Sequence, residues 1–155
     1  MLGRYRALFD APGAASFCLA GFLARITMST VGLGIVLAVS GLRGGYTIAG
    51  AVAATYALVG ALAAPQVGRL ADRHGQARVL PVSAVLLSTG VVALAGCAAL
   101  GAPAWTLFLA AVVAGSGNAS AGSLVRARWT RLYRGDPLLH TAYSLEAVID
   151  ELVFI

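Results

Sequence analysis

Long apolar runs divide the chain into segments that are each long enough to form a membrane-spanning helix. A transmembrane helix requires about 20 predominantly apolar residues. Four runs reach this length, and short segments rich in glycine or arginine separate them. The four predicted spans cover residues 14–39, 46–67, 79–100 and 104–125. The pattern therefore predicts an all-α membrane protein with about four transmembrane helices.

A fifth apolar segment, residues 139–155, differs from the other four in its length and its charge. It is shorter than the roughly 20 residues needed to cross a bilayer, and it carries Glu146, Asp150 and Glu151. A helix that stopped inside a membrane would leave backbone carbonyls unpaired in lipid, which is unfavourable. We therefore expect this segment to be the start of an incomplete fifth transmembrane helix, and the chain to be a fragment of a larger protein.

The composition agrees with a membrane protein and changes how the charges are interpreted. Of the 155 residues, 59% are hydrophobic and 11% are charged, whereas soluble domains carry about 25% charged residues. The formal net charge is +5, and every basic residue apart from the two histidines is an arginine. In a soluble protein this excess would suggest a nucleic-acid partner. Here the expected partner is the lipid bilayer, because positive charge in membrane proteins mainly reports orientation.

The positions of the arginines predict the orientation of the chain in a plasma or inner membrane. With the N-terminus in the cytoplasm, only Arg43 lies on the outer side and Arg25 lies within the membrane. The basic segment 126–138 is then a cytoplasmic loop. Nine arginines lie on the cytoplasmic side, as the positive-inside rule requires: Arg4, Arg6, Arg69, Arg73, Arg78, Arg126, Arg128, Arg131 and Arg134.

The segment 68–80, with the sequence GRLADRHGQARVL, joins the second and third predicted spans on the cytoplasmic side. It resembles the signature loop of the major facilitator superfamily. The matching positions are Gly68, Asp72, Arg73, Gly75 and Leu80.

The match departs from the family pattern directly after the second glycine. The family usually has two basic residues there, whereas this chain has Gln76 and Ala77, followed by Arg78. The resemblance implies that this loop acts in gating, with Asp72 holding one half of a transporter against the other in one state. A solvated basic loop that only sets the orientation is the alternative.

The resemblance also implies a fold and a function for the whole chain. Members have twelve helices in two six-helix halves, each built from inverted three-helix repeats. The chain would then be most of an N-terminal half, and the missing C-terminal half would be its partner. The implied function is secondary active transport of a small, unidentified solute by alternating access, with or without coupling to protons. The alternative is a truncated membrane protein that does not transport, either a remnant or a partner subunit.

Charged residues inside the predicted spans form a candidate site. Arg25 costs about 2.5–3.5 kcal/mol at a helix centre, so we expect it to be paired. Arg25 lies about as many residues from the cytoplasmic end of the first span as Asp150 and Glu151 lie from the cytoplasmic end of the fifth. We therefore predict that Arg25 pairs with Asp150 or Glu151. Glu146 shares a helix face with Asp150. A structural ion pair and a protonatable acid that couples proton flux to transport both remain open.

The remaining candidates are few. Small residues in the fourth span indicate close helix packing, and Asn118 is a weak candidate for a substrate cavity. The sequence shows no nucleophile–base set, no metal-ligand spacing and no phosphate-binding loop. We therefore expect neither an enzyme nor a cofactor.

Overall fold

The structure is a computed structural model that describes residues 2–153, with side chains from residue 5 onward. Within these residues the chain forms seven α-helices and no strand. The helices are α1 Leu2–Leu8, α2 Ala14–Arg43, α3 Tyr46–His74, α4 Gln76–Ala99, α5 Ala104–Ser116, α6 Ala121–Leu132 and α7 Leu138–Val153.

Four helical stretches of the described chain are long and apolar enough to cross a membrane. They are Ala14–Arg43, Tyr46–His74, Gln76–Ala99 and Ala104–Leu132. This confirms the prediction of an all-α membrane protein with four spans. The predicted fifth span corresponds to α7, and its last two residues, Phe154 and Ile155, lie outside the described residues.

The helices extend beyond the apolar runs, so two segments that we expected to be loops are largely helical. In the segment 68–80, α3 continues to His74 and α4 begins at Gln76. The chain turns at Gly75, whose φ of 86° suits a residue without a side chain. In the segment 126–138, α6 continues to Leu132. The expectation of a loop was wrong for these parts because arginine is a good helix former and interrupts apolarity without interrupting a helix.

The fourth predicted span contains a break that hydropathy does not reveal. Its first part, α5, ends at Ser116, and α6 begins at Ala121. Residues 117–120 between them have the sequence GNAS. Glycine and asparagine are poor helix formers, because glycine loses more backbone entropy and asparagine hydrogen-bonds nearby backbone groups in other conformations.

The chain divides into two compact units, and the first comprises Thr30–Ser120. Its helices approach closely where glycine replaces a side chain. A Cβ atom at Gly90 of α4 would collide with the backbone of Ala114 in α5, and one at Gly115 would lie 2.8 Å from the carbonyl oxygen of Tyr56 in α3. Such contacts stabilise helix pairs in lipid through van der Waals packing. The core contains Ile35, Val39, Ala49, Val52, Tyr56, Leu94, Ala98, Leu107, Ala110, Ala111 and Ala114.

The second unit comprises Met1–Ser29 and Ala121–Ile155. Its core contains Leu8, Ala14, Phe17, Cys18, Val125, Trp129 and Ala142. The hydroxyl of Tyr133 donates a hydrogen bond of 3.0 Å to the carbonyl oxygen of Leu8 at the end of α1. Burial raises the pKa of Tyr133, and the charges of Asp10 and Asp136 raise it further. The phenol therefore remains a hydrogen-bond donor at neutral pH.

Candidate functional site

Arg25 lies on α2 within the second unit, and its side chain is buried. Its exposed fraction is 7%, and its Nη2 atom lies 2.5 Å from Oε2 of Glu146 on α7. Its Nε atom lies 2.8 Å from Oδ1 of Asp150, one turn further along α7. The guanidinium thus contacts two acids that share one face of α7, as the i, i+4 spacing requires.

Glu146 is fully buried, and donors surround its carboxylate. While Oε2 faces Arg25, Oε1 accepts a hydrogen bond of 2.9 Å from Nε1 of Trp129. The thiol of Cys18 approaches the same oxygen at 3.8 Å. A buried carboxylate is tolerated when it is paired and hydrogen-bonded, and Glu146 meets both conditions.

Asp150 connects Arg25 to a second arginine. Its Oδ2 atom accepts a hydrogen bond from Nη2 of Arg126 on α6, while its Oδ1 atom faces Arg25. The side chains of Asp150 and Arg126 are 35% and 45% exposed. We refer to Arg25, Arg126, Glu146 and Asp150 as the charge cluster. It contains two cations and two anions and is therefore neutral when all four groups are charged.

Two glycines leave room for the guanidinium of Arg25. A Cβ atom at Gly122 of α6 would lie 3.3 Å from Nη2 of Arg25 and 3.8 Å from Oδ1 of Asp150. A Cβ atom at Gly21 would lie 3.6 Å from Nη1 of Arg25 and would also collide with Val125. Glycine at both positions therefore allows α6 to lie close against α2 with the arginine between them.

Aromatic side chains cover the cluster on the side of Trp129. The rings of Phe17 and Trp129 meet edge to face at 4.6 Å, and Trp129 stacks on Tyr133 at 5.9 Å. The guanidinium of Arg128 lies 4.9 Å from the centre of the Phe17 ring. These contacts keep Trp129 buried and orient its indole toward Glu146.

The structure brings together some of the site residues expected from the sequence and not others. Arg25 contacts Asp150, one of its two expected partners, and also Glu146, whereas Glu151 is exposed. Arg126, which we expected in a cytoplasmic loop, lies within a helix and belongs to the charge cluster. Trp129 was missed. Apolar residues at i, i+3, i+4 and i+8 could have revealed a buried helix face there: Ala121, Leu124, Val125 and Trp129.

The signature segment lies in the first unit, and its charged side chains are exposed. Asp72 and Arg73 are exposed at the end of α3, and Arg78 is exposed at the start of α4. Gly68 lies inside α3 and Gly75 is the junction. Within residues 2–153 the ion pairs join members of the charge cluster, and Asp72 is not among them.

Asn118 lies in the break between α5 and α6. Its amide packs against Gly60 of α3, where a Cβ atom would lie 2.6 Å from Nδ2. Its Oδ1 atom is buried and makes no hydrogen bond within the described residues. These residues also contain no group of three His, Cys, Asp or Glu side chains that could hold a metal ion.

The fold and the charge cluster define a class of protein, a multi-pass α-helical membrane protein with paired charges among its helices. A model of the Major Facilitator Superfamily matches residues 17–139, and the chain belongs to that superfamily. It is therefore a transporter-type membrane protein. The match includes Arg25 and Arg126 but ends before Glu146 and Asp150. No curated protein and no solved structure matches the chain.

Proposed function

We propose that the chain forms most of the N-terminal half of a secondary active transporter that moves a small solute by alternating access. In this superfamily the substrate site lies near the bilayer midplane, between two halves of six helices. The helices of this chain would therefore supply one wall of the site. A second helical half would be the partner that completes it.

The charge cluster is the observation that carries this proposal. Burying charged side chains among transmembrane helices is expensive, and a well-packed apolar cluster would stabilise the helices at lower cost. Ionisable residues at such depth mark ion or substrate pathways. The cluster combines a fully buried acid, Glu146, with a partly exposed acid, Asp150. We assign it to coupling between proton movement and solute movement.

The depth of the cluster supports this role. Arg25 lies 11 residues beyond the first residue of α2, and Asp150 lies 12 beyond the first residue of α7. At 1.5 Å per residue both positions are roughly 16–18 Å from the helix starts, close to the middle of a hydrocarbon core about 30 Å thick. With the N-terminus in the cytoplasm of a plasma or inner membrane, a proton would pass this level during transport.

Two further features fit a transporter. Asp72 and Arg73 are exposed at the end of α3 and are free to contact another helical half, as the proposed gating role requires. Asn118 supplies an unpaired oxygen in a broken span, and broken helices contribute to the binding sites of transporters. We therefore keep Asn118 as a candidate for the substrate cavity.

Proton flux in inside-out vesicles from cells that express the gene tests the proposal. The vesicles contain a pH-sensitive dye, and small neutral, anionic and cationic solutes are added one at a time. We expect at least one solute to move protons in the wild type and none to do so in Asp150→Asn. Asp10→Asn, which alters an exposed acid, is the matched control. A folded protein that moves no proton with any solute would favour the non-transporting alternative.

A further inference from the structure

The two acids of the charge cluster are held very differently. Both oxygens of Glu146 face donors, from Arg25, Trp129 and Cys18, and the side chain has no exposed surface. Among the side chains that the structure describes, Asp150 faces only the two arginines, and about a third of its own side chain is exposed. Glu146 is therefore enclosed by its donors, whereas Asp150 is the acid that water can reach.

Arg25 retains hydrogen-bonding capacity that its partners do not use. Its Nε and Nη1 atoms are buried and have no hydrogen-bond partner within the described residues. Nε lies close to Asp150 without the geometry of a hydrogen bond. An arginine that is 93% buried with unused N–H groups is costly, and it is a ready donor for a second acceptor. Nε of Arg25 and Nη2 of Arg126 face the two oxygens of Asp150, so another carboxylate that took the place of Asp150 would meet these two donors.

Protonation of Asp150 would change the charge balance at this place. The neutral cluster would gain one positive charge, and Arg25 and Arg126 would share a single anion, Glu146. The exposed side of the two arginines would then attract one negative charge. Since an exposed charge that faced lipid would be penalised, this edge is expected to face a water-filled cavity.

We infer that Arg25 and Arg126 form a binding site for the carboxylate of a small monovalent organic anion, which replaces Asp150 when Asp150 takes up a proton from water. The inference rests on the proposed transport function and names its substrate class. One proton and one anion bind together, so the loaded site has the same net charge as the empty one. Carriage of both through the membrane would be electroneutral.

The titratable and charged groups on the helices around Asp150 are few. On α2 the neighbour is Arg25, and Cys18 contacts Glu146. On α6 the neighbour is Arg126. On α7 itself Glu146 shares Arg25, and Glu151 is exposed. The helix α1 contacts α7 through the apolar core that contains Leu8 and Ala142, and its Arg6 is exposed.

Calorimetry on the purified protein in lipid nanodiscs tests the site. The probes are lactate and benzoate, each compared with its uncharged amide. We expect the acids to bind and the amides to fail. Affinity should rise about tenfold for each unit by which the pH is lowered while Asp150 is ionised, because one proton is taken up with each anion. Titrations in buffers of different ionisation enthalpy measure that uptake directly.

Three variants separate the roles of the residues. In Asp150→Asn, which imitates the protonated acid, lactate should bind without proton uptake and independently of pH. In Arg126→Gln, binding should weaken about tenfold to hundredfold, which corresponds to one charged hydrogen bond. Arg131→Gln, an exposed arginine of the same helix, is the control and should bind as the wild type does.

Several results would overturn the inference. They are equal binding of acids and amides, loss of binding in Asp150→Asn, and equal effects of Arg126→Gln and Arg131→Gln. If Asp150→Asn does not fold, the measured proton uptake of the wild type is the test. Lactate binding without proton uptake would then reject the inference.

The outcome for transport is read separately. Flux of uncharged solutes without carboxylate binding would reject the inference and leave the proposed function intact. Proton-linked carboxylate binding without any flux would reject the proposed function and leave the inferred binding site intact.

Discussion

The indole Nε1 of Trp129 donates a hydrogen bond of 2.9 Å to Oε1 of Glu146, which lies 17 residues further along the chain. Both side chains are fully buried. The bond connects α6 to α7 at the same carboxylate that faces Arg25 of α2. Three helices are therefore fixed to one another through a single carboxylate.

Replacement of Trp129 by Phe should destabilise the protein while preserving most of the apolar contact. The carboxylate would lose a donor that it cannot replace with water, and hydrogen bonds to charged groups contribute about 1.5–3 kcal/mol. Denaturant unfolding in detergent, followed by circular dichroism, measures the change. Trp105→Phe is the matched control, because Trp105 is 62% exposed. Equal stabilities of the two variants would show that the hydrogen bond contributes nothing measurable.

A double-mutant cycle on Arg25 and Glu146 should show strong coupling. Arg25→Gln leaves a buried anion without its cation, and breaking a buried pair costs about 3–5 kcal/mol. Adding Glu146→Gln removes that anion, so the double variant should be more stable than the sum of the single losses indicates. The free energy of unfolding of all four proteins is the measurement. An additive result would mean that the two side chains do not interact.

An exposed pair provides the control for this cycle. Arg69 and Gln66 lie one turn apart on α3, 3.4 Å from Nη1 to Oε1, and both are exposed. We expect Arg69→Gln to change stability by no more than about 0.5 kcal/mol. A loss as large as that of Arg25→Gln would show that any arginine substitution destabilises this protein.

The four spans and the contact between Arg25 and Asp150 could be predicted from the sequence because both follow from simple geometry. The length of an apolar run determines whether it can cross a bilayer, and the rise per residue places Arg25 and Asp150 at the same level. Arg126 could not be placed in this way. The density of arginines in this segment led us to expect Arg126 in a loop. Its contact with Asp150 instead depends on the continuation of α6 as a helix.

Neither the hydrogen bond that Trp129 donates nor the space at Gly122 could be predicted from the sequence. Both depend on which faces of α2, α6 and α7 meet, and helical periodicity gives the face of one helix without naming its neighbour. The break at residues 117–120 had a local signal in its glycine and asparagine. Apolarity on both sides concealed that signal in an average over the span.

Gly90→Ala should weaken the packing of α4 against α5. The added methyl group would meet the backbone of Ala114, which cannot move without separating the helices. Overpacking of this kind costs about 1–3 kcal/mol. Gly96→Ala on the same helix is the control, because no atom of the described residues lies within 4 Å of a Cβ atom there. We expect a lower unfolding temperature for the first variant alone, and equal temperatures would contradict the close approach.

The proposed orientation predicts which positions an impermeant thiol reagent can label. In a background with alanine at Cys18 and Cys97, single cysteines replace Tyr46 at the start of α3 and Arg134 after α6, both of which are exposed. Because the positive-inside rule places the arginine-rich end in the cytoplasm, intact cells should be labelled at position 46 and inside-out vesicles at position 134. Leu58, in the middle of α3, is the control and should remain unlabelled in both preparations. The reverse pattern at positions 46 and 134 would invert the topology, and a proton would then reach Asp150 from the opposite side of the membrane.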